Sequence, residues 1–169
     1  TDLVPEQKLW RLMVEAIKSL GYEAGKDVAL ALDPAASELE NAYREKTNQP
    51  EIIGMYLFWR DKDQVVMSRQ DLFNLYKKTL DEGIPIVSIE DGFAEDDDEG
   101  WALLMEEFGD KIFVIGDDIV TTNDRTIEEK TEYISAKGEK TKLINTVLIK
   151  ANQIGTLSET TLAMLVSLG

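Results

Sequence analysis

The amino-acid sequence predicts an α/β protein built on a parallel sheet, and two observations carry that reading. Four short apolar runs, at residues 28–32, 84–89, 112–115 and 147–149, are rich in Val, Ile and Leu with no polar alternation. That is the pattern of strands buried on both faces. Segments with helical spacing separate the runs, and strands alternating with helices mean βαβ units.

The elements follow in order. Trp10, Met13, Val14 and Ile17 keep the i, i+3, i+4, i+7 spacing of a first helix, and Gly21 stands where its C-cap falls. The run 28–32 is the first strand. Residues 55–59 and 64–67 flank the polar stretch 60–63 and predict an excursion hairpin on the surface. Ser68, with Asp71 three residues on, opens a helix through Leu72, Tyr76 and Leu80 that stops before Gly83. After the strand at 84–89, Trp101, Leu104, Met105 and Phe108 form a helix ending at Gly109. Beyond the strand at 112–115, Ile127 and Ile134 mark a fourth helix. The run 147–149 is the last strand. Thr156 with Glu159 then caps a fifth helix carrying Leu162, Leu165 and Val166. No repeat, low-complexity tract or Pro/Gly/Ser linker interrupts the chain, so residues 1–169 read as a single domain.

Composition narrows the function. The chain has 18 Lys and Arg against 33 Asp and Glu, a formal charge of −15. That excess disfavours a partner held by its phosphate backbone, because such binding needs Lys and Arg to release counterions. It equally disfavours an anionic membrane surface, and no run of 18 apolar residues offers a bilayer span. Residues 1–8 lack a basic flank and an apolar signal core, so a cytoplasmic location is expected. There is no Cys and no His. Disulfides, thiol nucleophiles, imidazole acids and bases, and zinc sites made of those residues are excluded. Proton transfer must rest on Asp, Glu, Lys or Tyr. A bound metal must sit on oxygen, which favours Mg²⁺, Mn²⁺ or Ca²⁺.

Each apolar run leads to an ionisable residue: Asp33, Glu90, Asp117 and Lys150. Ligands sit outside the carboxyl ends of the strands in closed barrels and in open doubly wound sheets alike. A strand also ends in a polar residue simply because the chain reaches solvent. Three acids and a lysine in series nevertheless point to one mouth. Three carboxylates there repel unless a hard divalent ion neutralises them, and a partly buried lysine beside them has the makings of a tunable base. The acidic run 95–100 can be aligned with a calcium loop. A better account is that acids gather at the start of the Trp101 helix, where the helix dipole favours them.

The residues around these positions resemble a known family. Residues 87–97, Val-Ser-Ile-Glu-Asp-Gly-Phe-Ala-Glu-Asp-Asp, are similar to the hallmark segment of the enolases (phosphopyruvate hydratases). Residues 27–38, residues 116–123 and residues 148–160 resemble three further stretches of that family in the same order. The resemblance implies a partial TIM-type (β/α) barrel of about four βα units, the middle of the family's catalytic barrel. It implies Mg²⁺ on Asp33, Glu90 and Asp117, with Glu90 and Asp117 also lining the substrate. Lys150 falls on the base that takes the carbon-2 proton of 2-phosphoglycerate. The implied activity is a lyase reaction, the reversible Mg²⁺-dependent dehydration of 2-phosphoglycerate to phosphoenolpyruvate in glycolysis. A metal-rich neighbourhood is expected to depress the lysine pKa. The family's amino-terminal domain, its acid-step glutamates and its later barrel segments have no counterpart in these residues, so the chain alone is expected to turn over little substrate. The alternative is a non-catalytic fragment or a divergent binding or structural protein. Unpaired sheet edges would seek a second copy or another chain to complete them. The sequence departs from the family pattern at Pro34, Gly92 and Asp98, and Gly92 is expected to loosen the backbone past Glu90. The Asp33–Glu90 and Asp117–Lys150 separations are longer than usual, the extra residues falling within 41–67 and 133–142.

Overall fold

In the computed structural model, which describes residues 4–60, 63–135 and 138–168, helix and strand alternate from the start. Helix α1 (Pro5–Ser19) leads to β1 (Leu30–Leu32) and α2 (Ala36–Thr47). A hairpin of β2 (Met55–Arg60) and β3 (Asp63–Ser68) runs directly into α3 (Arg69–Asp81). Then come β4 (Ile86–Glu90), α4 (Asp98–Phe108), β5 (Phe113–Gly116) and α5 (Asp124–Thr131). A second hairpin, β6 (Tyr133–Ile134) and β7 (Lys140–Thr141), precedes β8 (Thr146–Val147), α6 (Ala151–Ile154) and α7 (Leu157–Ser167).

The sheet holds β1, β4, β5 and β8 in that spatial order, every pairing parallel. Spatial order follows chain order without the reversal that marks a doubly wound sheet. The winding is that of a (β/α) barrel, and four strands make part of one. β1, β4 and β5 close on the first three apolar runs, whereas β8 takes only Thr146–Val147, so the last strand ends before the 148–149 part of its run and Lys150 follows three residues later.

The core lies between the sheet and its helices. Leu72 and Tyr76 of α3 and Trp101 and Leu104 of α4 are buried with Ile89 and Val114 of the sheet. The Ser68–Asp71 capping box at the start of α3 is formed in full, and Gly83 ends that helix region in the left-handed conformation at φ 79°. The strands are not buried on both faces: Val28, Val87 and Phe113 stay exposed, because four strands leave the sheet unclosed. The first hairpin is more than a surface excursion, since Tyr56 and its cross-strand partner Met67 are buried on one face and Leu57 on the other; Asp61 and Lys62 lie outside the described residues. Ile134 belongs to the second hairpin and is exposed, so the fourth helix stops at Thr131.

The last helix starts where the Thr156–Glu159 cap places it, with Thr156 accepting from the Glu159 amide at 3.2 Å. Its buried residues are Thr160 and Ala163, while Leu162 and Leu165 face outward. No helix among the described residues is long and apolar enough to cross a membrane.

Candidate functional site

The site is built at the carboxyl rim of the sheet. Glu90 is the last residue of β4, and Asp117 directly follows β5. Asp33 directly follows β1, where its Oδ1 accepts from the Ala35 amide at 3.1 Å in a local turn that leads into α2. Lys150 lies just beyond β8 at the start of α6. The structure joins Lys150 and Asp117 directly, the ammonium donating to Asp117 Oδ2. It also sets the rest around Glu90. Burial raises the Glu90 pKa first, the charges of Asp33, Asp117 and Asp91 raise it further, and Lys150 pulls it down. One carboxylate thus senses all the other residues expected at the mouth.

With the carboxylates alone around it, the Lys150 pKa moves up. The hydrogen bond to Asp117 is the main cause, with added negative potential from Asp117, Glu90 and Asp118. Lowering it requires positive charge on those carboxylates.

Sequence reasoning missed two further acids. Asp91, in the left-handed conformation at φ 43°, is buried. Its Oδ1 accepts from the Asp117 amide at 3.1 Å and its Oδ2 from the Asp118 amide at 3.0 Å. Oxygens of Asp91, Asp117 and Asp118 come within 4.8 Å of one another. Because two backbone amides already occupy Asp91, it serves as a clamp on the turn that carries Asp117. Among the described residues Asp91, Asp117 and Asp118 are the group close enough to share an ion, and Asp33 and Glu90, expected to hold the metal with Asp117, are not part of it. Hard carboxylate oxygens clustered at this rim fit a divalent cation such as Mg²⁺.

Gly92 does not loosen this region. A Cβ there would meet Ile89 Cγ2 at 2.7 Å and Leu104 Cδ2 at 3.3 Å, and its carbonyl accepts from Tyr76 Oη at 2.9 Å. Glycine is needed for close approach, and the backbone past Glu90 is pinned. The segment continues pinned: Trp101 Nε1 donates to the Ala94 carbonyl at 3.0 Å, and the Ala94 amide donates to Tyr56 Oη at 3.2 Å.

Opposite, Thr121 and Thr122 sit at φ 47° and 57°. For β-branched residues this conformation costs about 1–3 kcal/mol each, and surrounding contacts must hold it. A cavity of about 950 Å³ lies elsewhere, among Arg69, Leu103, Tyr133 and Lys142, and is lined by none of the four rim residues. A smaller one of about 220 Å³ reaches Asp33, beside Trp10, Pro34 and Tyr76.

Crowded acids make a stability prediction. A carboxylate whose folded pKa is raised destabilises the fold above that pKa, and the penalty vanishes as pH falls below the ordinary glutamate range. Glu90→Gln is therefore expected to raise the melting temperature near neutral pH, with the gain gone by about pH 4. Thermal melts at the two pH values check this; a gain that persists at the lower pH would contradict the charge origin. Glu40, Asp91 and Glu95 are shifted the same way, mainly by burial.

The family model described as enolase, C-terminal TIM barrel domain, matches residues 2–168.

Proposed function

We propose that this chain, which belongs to the enolase C-terminal TIM barrel family, is a cytoplasmic glycolytic lyase domain that acts on 2-phosphoglycerate by abstracting its carbon-2 proton, the first half of reversible dehydration to phosphoenolpyruvate. The observation that supports this best is the Lys150–Asp117 pair set beside Glu90 at the strand ends. A hydrogen next to a carboxylate is a very weak acid, because its loss builds a dianionic enediolate. Asp33, Glu90 and Asp117 would hold Mg²⁺, and the bound ion would supply positive charge where that dianion develops.

The chain's own residues do the rest. Lys150 Nζ in its neutral form takes the proton: an N–H bond forms, the C–H bond breaks, and the electron pair moves toward the substrate carboxylate. Asp117 holds the amine at the rim until substrate arrives. Asp91 holds Asp117 in turn, through the two amides of the 117–118 turn. Glu90 and Asp117 line the position of the substrate carboxylate. Hydroxide loss from carbon 3 requires a separate general acid, and the carbon-2 step does not.

Exchange of the carbon-2 proton with solvent, followed by NMR on 2-phosphoglycerate with Mg²⁺ present, tests the reading. The isolated chain is expected to exchange that proton faster than it forms phosphoenolpyruvate. Absence of exchange at saturating substrate and Mg²⁺ would overturn the assignment.

A further inference from the structure

We propose that Thr122 and Gln153 are positioning residues for the candidate base and its carboxylate partner, an inference that rests on the reading of Asp117 as a metal-holding residue. Thr122 is fully buried in its left-handed conformation, and its hydroxyl is wired to both sides of the mouth. Oγ1 accepts from the Lys150 amide at 2.9 Å and donates to Gln153 Oε1 at 2.8 Å. Gln153 Nε2 donates to Asp117 Oδ1 at 2.8 Å, and Lys150 Nζ donates to Asp117 Oδ2. The contacts close a ring through Thr122, Lys150, Asp117 and Gln153.

Only one proton arrangement satisfies this ring. An ionised carboxylate cannot donate, so the amide group of Gln153 must turn its Nε2 to Asp117 and its oxygen to Thr122. That oxygen can only accept, so the threonine proton points to it, which leaves the hydroxyl lone pairs for the Lys150 amide. Every partner is thereby assigned a direction, and each Asp117 oxygen has one fixed donor. The ring sets the plane of the Asp117 carboxylate and the point at which Lys150 leaves the backbone. It also accounts for Thr122 being kept in a conformation that β-branched residues rarely adopt. Hydrogen bonds behind a metal-holding carboxylate typically change metal affinity by about 10–100-fold.

The test uses the full chain carrying Thr122→Val, Thr122→Ser or Gln153→Leu, with Mn²⁺ alone as probe in titration calorimetry and with amide hydrogen exchange read at Lys150. Thr122→Val and Gln153→Leu are expected to weaken Mn²⁺ binding about 10-fold or more, while Thr122→Ser, which keeps the hydroxyl, stays near wild type. The Lys150 amide should exchange faster in Thr122→Val and remain protected in Thr122→Ser and Gln153→Leu. A general loss of packing would not separate the variants this way. Wild-type Mn²⁺ affinity in both Thr122→Val and Gln153→Leu overturns the positioning role. A wild-type chain that binds no Mn²⁺ overturns the metal reading instead, and the bridge is then decided by Lys150 protection, equal exchange in Thr122→Val and Thr122→Ser ruling it out.

Discussion

Replacing Lys150 by alanine is expected to slow carbon-2 exchange by about 10²- to 10⁴-fold, the usual worth of a positioned general base. Two features make the result readable. The Lys150 side chain is 40% exposed, so its loss costs the fold little, and unchanged thermal melts would show that the effect lies in the chemistry. Lys150→Arg sharpens the test. A guanidinium can keep the ion pair with Asp117, yet it does not deprotonate in proteins and cannot serve as a base. Arginine should therefore be as inactive as alanine, whereas a purely structural cation would be rescued by it. The pH profile carries a sign as well. Asp117 and its neighbours hold the ammonium form, so without a divalent ion the rate rises only above the ordinary lysine range. Mg²⁺ on the carboxylates should move that limb to lower pH. Exchange unaffected by Lys150→Ala would remove the base from this position.

How much of this was legible in the sequence depended on whether the information was local. The Ser68–Asp71 and Thr156–Glu159 caps are local hydrogen bonds, and both helices start where their spacing puts them. The rim residues were legible because each closes an apolar run, and run and rim are neighbours in the chain. Helix α2 left no such trace. Its buried positions are Ala36 and Glu40, one small and one charged, so no apolar stripe marks it. In α7 the apolar stripe misled, because neither Leu162 nor Leu165 is covered, and the helix buries Thr160 and Ala163 instead. Partners distant in sequence explain the remaining misses. Asp91 acts on amides 26 and 27 residues away, and Thr122 bridges to residues 28 and 31 positions on. Neither can be told from an ordinary turn residue by its neighbours.

The acidic run shows the same limit and yields the largest expected stability effect. Glu95, Asp96, Asp97, Asp98 and Glu99 look alike as sequence, but Asp97 alone among them is fully buried. Its Oδ2 accepts from Tyr56 Oη at 2.5 Å, and its Oδ1 accepts from Arg69 Nε at 2.5 Å and from the Gly100 amide at 3.1 Å. It is at once the cap of α4 and the anion that ties the first hairpin and α3 to that helix. Asp97→Ala leaves the buried Tyr56 hydroxyl without its acceptor and deprives Arg69 of its buried partner. Breaking a buried pair in this way costs about 3–5 kcal/mol, with the lost cap contributing about 1 kcal/mol of that order. Asp97→Asn keeps an acceptor oxygen for the helix and should cost less, about 1–3 kcal/mol. Asp96→Ala is the control. Asp96 is 60% exposed, so its replacement should stay within about 0.5 kcal/mol of wild type. Urea denaturation of the three variants checks the order. A loss below about 1 kcal/mol in Asp97→Ala, the range of a solvated surface pair, would show that Asp97 is as wet as its neighbours. The expected order also bears on the mouth, because the pinned segment from Asp91 to Asp97 carries the clamp that holds Asp117.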